Sequence, residues 1–456
     1  MPYTIKRGAC TNCNLCLSCE IARKAIYNRD AIFPFQEESG KRGQEESGKR
    51  GFGYTQHSAD VDSGSSRFYG LNDLILLPPL FSRRLLKKEE IKREPIFEDV
   101  DTKVELGGFR LKYPLVMAAM GSTDIASSRG LNLSEGTAKS GIVHVIGENV
   151  YNMRGFDRRI SRDHPSLVDR AMAYLENMDE FGGLVIQANV EDRKAGVWEK
   201  VVAHKRFEEA LQEKKIGFEI KLGQGAKAGL GGEVKVNEEN AKRLNSNYTI
   251  RPNPDKVKKK LYERHSVPGT ITEEGLYELI KDTKTYGVPV WVKTGPYEDV
   301  SEQIEIAEKA GADAITIDGK EGGTGMSPSV AMRELGYPTI KCLQIMESYK
   351  IDHNPKIDMV IAGGLVDGGD IVKSLCLDSD GIGMARPFII AEEAGAKKLE
   401  NGVKGVQNFV ETTRIEVQML TSALGEYDLK GLNKNFVGAL KEEVAKAFNI
   451  EYLYSL

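Results

Sequence analysis

Short apolar runs alternate with helix-like stretches between residues 114 and 387, and this rhythm constrains the chain more than any other feature. The runs are PLVMAAMG (114–121), GIVHVIGE (141–148), GLVIQAN (183–189), GFEIKLGQG (217–225), VPVWVKTG (288–295), AITIDGKEGG (314–323), DMVIAGGL (358–365) and DGIGMARP (380–387). Most are continuous rather than alternating, the pattern of parallel strands covered on both faces. Amphipathic helix signals lie between several of them, such as VSEQIEIAEKAGAD, which ends on a glycine stop. Eight βα units in series predict a (β/α)8 TIM barrel over residues 114–403, with an open doubly wound sheet as the alternative. Residues 226–287 are too long for one crossover and predict an inserted lobe. Residues 404–456, with VQNFVETTRIEVQMLTSALG, read as a helical extension packed on the barrel.

The chain ahead of the barrel is of another kind. Residues 67–113 read as an ordered lead-in whose RFYGLNDLILLPPL is a buried anchor. Residues 31–66 read as a low-complexity linker, because QEESGKRG is repeated without interruption at 36–51 and has no apolar face. Residues 1–30 form a cysteine module: four of the six cysteines, Cys10, Cys13, Cys16 and Cys19, fall in ACTNCNLCLSCE. Four thiolates at that spacing can close one S4 site for zinc or a [4Fe–4S] cluster. Structural zinc uses two CxxC knuckles separated by a longer loop, whereas consecutive CxxC spacing is that of ferredoxin-type clusters. The ferredoxin run has three residues before its fourth cysteine and then a proline; here two residues precede Cys19, and Glu20 follows. Iron–sulfur is the leading reading, zinc the second, and inert or regulatory thiols the third.

The two remaining cysteines, Cys342 and Cys376, stand alone, which is not disulfide-framework usage and implies a reducing, cytoplasmic setting. MPYTIKRGA lacks the apolar core of a signal peptide. A net charge of −4 argues for neither nucleic acid nor an anionic membrane surface, and the apolar runs are too short to span a bilayer.

A barrel of this kind builds its site at the C-terminal ends of the strands. Strand four ends in Lys221, Gln224 and Lys227, and strand five in Lys293. Gly322, Gly323, Thr324 and Gly325 follow strand six, Gly363 and Gly364 end strand seven, and Gly383 and Met384 end strand eight. One glycine pair is a tight turn; three clusters at consecutive strand ends predict backbone N–H groups cradling a phosphate-bearing ligand. A lysine closing an apolar strand is costly unless it has a partner or a task. Lys293 in a flavin barrel would stabilise negative charge on the reduced ring, and the competing reading is a lysine snorkelling to the rim. Lys221 and Lys227 are candidates for clamping a substrate carboxylate. Gln187, ending strand three, is a candidate for a hydrogen bond to a ring edge, or an ordinary loop glutamine.

Taken with IGEN, IAGGLVDGGDIVKSLCLDSDGIGMARP and VQNFVETTRIEVQMLTSALGEYDLKGL, the motifs IKLGQGAKAGLGG and DGKEGGTGMSP make residues 67–440 resemble the FMN-binding synthase domain of glutamate synthase, in its short archaeal-type form. That resemblance implies an FMN oxidoreductase. 2-Oxoglutarate and ammonia give 2-iminoglutarate, and hydride from reduced FMN gives L-glutamate. It implies that Met120, Gln187, Lys293, Gly322, Gly323, Thr324, Gly325, Gly363, Gly364, Gly383 and Met384 hold FMN. Lys221, Lys227, Glu148 and Arg264 would be catalytic, with Arg243 the alternative to Arg264 at the substrate carboxylate. It also implies a separate glutaminase subunit or free ammonia, and an electron donor such as ferredoxin or an NAD(P)H-oxidising subunit.

Several stretches depart from the family. The loops after strands one, two and three read AMGSTDIASS, GENV and ANVEDR where the family has a Met-Ser turn, GEGG and an SGRFG-like stretch. No nucleophilic cysteine follows Met1, and the iron–sulfur loop expected after the barrel is absent. The altered loops motivate a second reading, a different FMN enzyme such as an N-methylglutamate synthase-type subunit. A third is a scaffold that has lost catalysis, against which the retained Lys293 and glycine cradle stand. The missing loop gives the N-terminal cysteines an expected task, a substitute electron entry.

Overall fold

The structure, a computed structural model, describes residues 20–27, 68–80, 93–223, 229–323 and 334–454. All eight apolar runs coincide with a strand, the fourth starting one residue early: β1 Leu115–Met120, β2 Val143–Ile146, β3 Gly183–Ala188, β4 Ile216–Lys221, β5 Val290–Thr294, β6 Ala314–Asp318, β7 Asp358–Ala362 and β8 Gly381–Met384. Each pairs in parallel with the next, and β8 returns to β1, so the sheet closes into a barrel rather than staying open.

The helices α1 Gly130–Ser140, α2 Leu167–Leu175, α3 Val197–Val202, α4 Glu273–Lys284, α5 Val300–Ala310, α6 Thr339–His353, α7 Gly368–Cys376 and α8 Arg386–Lys398 follow the strands in turn. α5 stops at the glycine that the sequence supplies: Gly311, at φ 85°, caps it with its N–H on the carbonyls of Ala307 and Glu308. α9, Gly402–Ala423, lies across α8 and α1.

The period-two pattern of the strands divides two cores. Leu115, Met117, Ile146, Ile186, Phe218, Ile220, Val292, Ile317 and Ile361 belong to the large core shared with the surrounding helices. Val116, Val143, Val145, Val185, Trp291, Ala314 and Val360 form a second cluster inside the barrel. A hairpin, Val104–Leu106 paired with Phe109–Leu111, closes the N-terminal end of that interior by adding Leu106, Phe109 and Leu111. The Trp291 indole N–H donates to the Gly107 carbonyl at 2.8 Å, pinning the hairpin to β5.

Between β4 and α4 the chain forms a three-stranded antiparallel sheet of Glu233–Val236, Thr249–Arg251 and Tyr262–His265, the last central, with a helix at Glu238–Leu244. Val236, Ala241, Leu244, Tyr248, Ile250 and Tyr262 give this lobe its own core.

The lead-in differs from expectation. Leu74–Leu76 is an edge strand, antiparallel to Val437–Ala439, which is itself joined by Glu451–Tyr452. Leu74 is buried, but Ile75 is 44% and Leu80 is 90% exposed, so the anchor holds by one face only. The C-terminal extension is accordingly α9 followed by a mixture of short elements, since Val437–Ala439 takes strand conformation from a partner more than 350 residues away in sequence, a pairing that local pattern does not carry.

At the other end, the helix Glu20–Tyr27 docks on α8 and α9 through Ile21, Ala22 and Ala25. Its Lys24 ammonium lies 2.8 Å from Glu416, and the Asn408 amide donates to the Ala25 carbonyl. Cys10, Cys13, Cys16 and Cys19, and the repeat at 36–51, lie outside the described residues. No helix among the described residues is long and apolar enough to cross a membrane.

Candidate functional site

At the C-terminal end of the barrel the inward-facing positions change character. On β3 the inward side chain after Val185 is Gln187; on β5, the one after Trp291 is Lys293; on β6, Thr316 and Asp318 follow Ala314. β4 contributes Glu219 and Lys221, and the loop after β2 contributes Glu148. The opposite side of the mouth is built from small groups. Gly383 of β8 faces Ala362 of β7 and Ala118 of β1, so closely that a Cβ at 383 would stand 2.9 Å from the Ala362 methyl. A charged half therefore confronts a wall that at these described positions is built of glycine and alanine, which suits a flat ring laid against it.

The charged half is ion-paired rather than open. Lys221 Nζ lies 2.7 Å from Glu148 Oε1, with the two side chains 10% and 18% exposed. Lys293 Nζ lies 3.4 Å from Asp318 Oδ2, at 6% and 17% exposure. Beneath them Glu219 is buried and accepts a hydrogen bond from the Gln187 amide Nε2, the two residues being directly opposed across β3 and β4. Burial pushes the Glu219 carboxyl up to about 7, against the opposing pull of Lys293, Gln187 and Lys221. The Gln187 Oε1 atom is buried with no partner among the described residues.

A second buried network continues from Glu148. Asn149, at φ 64°, donates its backbone N–H to Asp192 Oδ2 at 2.7 Å, and Asn152 reaches Asp192 Oδ1 at 3.0 Å. Asn189 donates to Asn149 Oδ1 and caps the following turn through Asp192 N. The Tyr248 hydroxyl, from the lobe, also donates to Asn149 Oδ1. Burial raises the Asp192 carboxyl to about 7, with Glu148 and Glu191 adding to the rise and two backbone N–H groups opposing it. The Arg264 guanidinium, 3% exposed, stacks 4.6 Å over the Tyr248 ring, and its Nε and Nη1 have no partner among the described residues. Two unmatched donors on a buried cation call for an anion. Arg243 is exposed and donates to the Asn152 carbonyl and to Asn240, so it serves the lobe instead.

The glycine loops meet one another. Gly363 has φ 115°, and a Cβ there would stand 2.7 Å from Thr339 Oγ1; a Cβ at Gly322 would stand 2.5 Å from Asp318 Oδ1. Close approach of the loops after β6 and β7 thus already requires glycine, whatever they bind. Gly364 follows at φ 78°, and Gly323 closes the turn Lys320–Gly322. The side chains of Met120 and Met384 belong to the core facing the helices, leaving only their backbone for the mouth. Gln224, Lys227, Thr324 and Gly325 lie outside the described residues. The structure thus brings together Lys221 with Glu148, and Lys293 with Gln187 around Glu219, and sets Arg264 one residue layer beyond, through Tyr248 and Asn149.

Sequence reading missed Glu219, Asp318, Asp192 and two arginines. Glu219 and Asp318 share the inward parity of Lys221 and Trp291, so a charged residue in phase with the barrel interior is the signal that finds them. Arg170 and Arg154 carry no such signal. Arg170 is fully buried and donates to the carbonyls of Met120 and Gly121 at 3.2 and 3.3 Å; burial, with Arg154 nearby, lowers it to about 10. Arg154 holds the Ser122 carbonyl at 2.6 Å. Together they fix the altered loop after β1. Among the described residues no cluster of three metal-binding side chains occurs, and Cys342 and Cys376 are buried thiols raised by burial.

Compared with known proteins, residues 201–399 match the conserved region in glutamate synthase. That stretch runs from the end of α3 to the end of α8, and the three altered loops lie before it. The chain is 29% identical over 182 residues to a glutamate synthase large subunit-like protein of Rhizobium meliloti, covering 38% of this chain and 39% of that protein. It is 29% identical over 175 residues to an archaeal-type glutamate synthase (NADPH) of Dehalococcoides mccartyi, covering 38% and 34%. The chain thus spans well under half the length of these relatives. Among solved structures, the flavin-binding domain of baker's yeast flavocytochrome b2 superposes with TM-score 0.53 at 16% identity, over 84% of this chain and 82% of that one. A mandelate oxidase complex superposes with TM-score 0.51 at 16% identity, over 91% and 96%. These likenesses establish the barrel fold.

Proposed function

Starting from a chain that belongs to the glutamate synthase family, we propose that it is an FMN-dependent oxidoreductase that reduces 2-iminoglutarate, formed from 2-oxoglutarate and ammonia, to L-glutamate. The observation that carries this reading is the mouth itself: Lys293 and the unmatched Gln187 Oε1 face a wall of Ala118, Ala362 and Gly383, with Lys221 and Arg264 further out. These residues fit FMN. The small wall takes the ring, Gln187 supplies an acceptor and Lys293 a donor, and the loops with Gly322, Gly323, Thr324, Gly325, Gly363, Gly364 and Gly383 take the phosphate. When bound and reduced, FMN supplies the hydride.

The chain's own groups do the rest. Lys293, its ammonium held in place by Asp318, would offer positive charge to the reduced ring. Lys221, oriented by Glu148, and Arg264, with two unmatched nitrogens, suit the two carboxylates of a dicarboxylic oxo-acid; Lys227 joins them in this reading. Glu148 exchanges a proton with substrate nitrogen through the same pair. Ammonia comes free or from a separate glutaminase subunit. Electrons come from a donor protein, ferredoxin or an NAD(P)H-oxidising subunit, the latter in keeping with the NADPH in the relatives' names. Cys10, Cys13, Cys16 and Cys19 would bind an iron–sulfur cluster receiving them.

The network that Asn149, Asn189 and Asp192 of the altered loops form with Asn152 favours one second reading, an N-methylglutamate synthase-type enzyme with an amine in place of ammonia. One experiment separates the two. Protein with bound FMN is photoreduced without oxygen, then mixed with 2-oxoglutarate and either ammonium or methylamine. Reoxidation with ammonium and formation of glutamate is expected. Reoxidation with methylamine alone selects the second reading, and a protein that binds no flavin removes both.

A further inference from the structure

We infer that Glu219 is a positioning residue that sets the orientation of the Gln187 amide, so that this amide meets the bound flavin with its oxygen and the site reads the imide N–H of the ring. The inference rests on the FMN reading above and adds a residue to it.

The geometry is that of a two-ended amide with one end taken. Gln187 occupies the last inward-facing position of β3, and Glu219 is its direct partner across β4. Ionised, the Glu219 carboxylate only accepts, so above the pH at which it titrates the end of the amide facing it must be the NH2 group, which is the contact observed. The other end, Oε1, is then an acceptor at the mouth, and it is the part of that amide left buried without a partner among the described residues. A buried acceptor held in one orientation selects a donor. The imide edge of a flavin offers one N–H between two carbonyls, and Lys293, which acts on Glu219 electrostatically and so lies close by, supplies the donor such a carbonyl needs. Acceptor and donor side by side match that edge. With Glu219 as an amide, either end of Gln187 could face inward, and the orientation would be lost.

The test measures FMN binding at pH 8, where Glu219 is ionised, by quenching of flavin fluorescence, beside the melting temperature of each protein. Glu219→Gln is expected to weaken FMN binding about tenfold, the effect of leaving one buried hydrogen-bonding group mismatched. The double exchange Gln187→Glu with Glu219→Gln restores an acceptor at the mouth and a donor beneath it, and is expected to bind within about threefold of wild type. N3-methyl-FMN, which lacks the imide proton, should be discriminated against strongly by wild type and by the double exchange, and weakly by Glu219→Gln. Unchanged FMN affinity in Glu219→Gln overturns the inference. So does an equal loss in both variants that follows the melting temperature, which would make the pair structural only. Failure of wild-type protein to bind FMN is a different result, and removes the functional reading itself.

Discussion

The two ends of the barrel interior are built from the same strands by opposite rules. Two residues along β5 separate Trp291, sealed against the Gly107 hairpin, from Lys293 at the mouth; two along β3 separate Val185 from Gln187. The floor is an apolar cluster, and the polar atom of its largest side chain, the Trp291 indole N–H, is satisfied. The mouth gathers three carboxylates, two ammonium groups and an amide, buries Glu219, Lys293 and Gln187 among them, and leaves Gln187 Oε1 unmatched. Gathering that much charge is unfavourable for folding alone, so the contrast sets a floor that serves stability against a mouth that serves the proposed ligand.

The largest expected effect breaks the floor. Trp291→Ala should cost about 3–5 kcal/mol of stability, as for other large buried aromatics, read by denaturant unfolding. If it were tolerated with little loss, the hairpin would not be the closure it resembles. Next is the mouth: Lys293→Met should lower the rate of flavin reduction by about 10²–10³, while costing less stability than Trp291→Ala. Stopped-flow reduction checks this, and an unchanged rate would return Lys293 to a structural pairing. A smaller effect is expected from Glu148→Gln, which leaves Lys221 without its carboxylate. The Michaelis constant for the oxo-acid should rise about tenfold with little change in flavin binding, in line with the loss of one charge-assisted hydrogen bond.

The smallest effect is on pH dependence. Glu219 and Asp192 have folded values raised to about 7, so between roughly pH 5 and 7 the folded chain holds protons that the unfolded chain has released. Their contribution to stability is present at low pH and falls as pH rises through 7. Glu219→Gln removes one of them, so its melting temperature, relative to wild type, should improve from pH 5 to pH 8. The buried His144, whose value is depressed by burial and by Arg170, acts in the opposite direction but equally in both proteins. A difference that is flat with pH would contradict the assignment.

The barrel was legible because each strand is a continuous apolar run with its own register of glycine stops and helices between, as at Gly311. The mouth was legible where a lysine closes such a run, at Lys221 and Lys293. It was less legible where a carboxylate hides within one. Glu219 in GFEIKL reads as a flaw in a strand until the inward parity of Lys221 is known. Asp192, Arg154 and Arg170 come from loops and helices whose side chains meet β1 and β2 only after the barrel closes, and no local pattern announces that. The edge strand at Leu74–Leu76 was misjudged for the same reason, its partner lying at the far end of the chain.

The comparison of floor and mouth reduces to one measurement: titration of wild type, Trp291→Phe and Lys293→Met with FMN, followed by fluorescence quenching and a parallel thermal melt. The account predicts one FMN per wild-type chain, an affinity retained in Trp291→Phe even where the melt shifts, and an affinity weakened in Lys293→Met without a matching shift. Absence of FMN binding by the wild type, or affinities that simply follow the melting temperatures at both ends of the barrel, would contradict it.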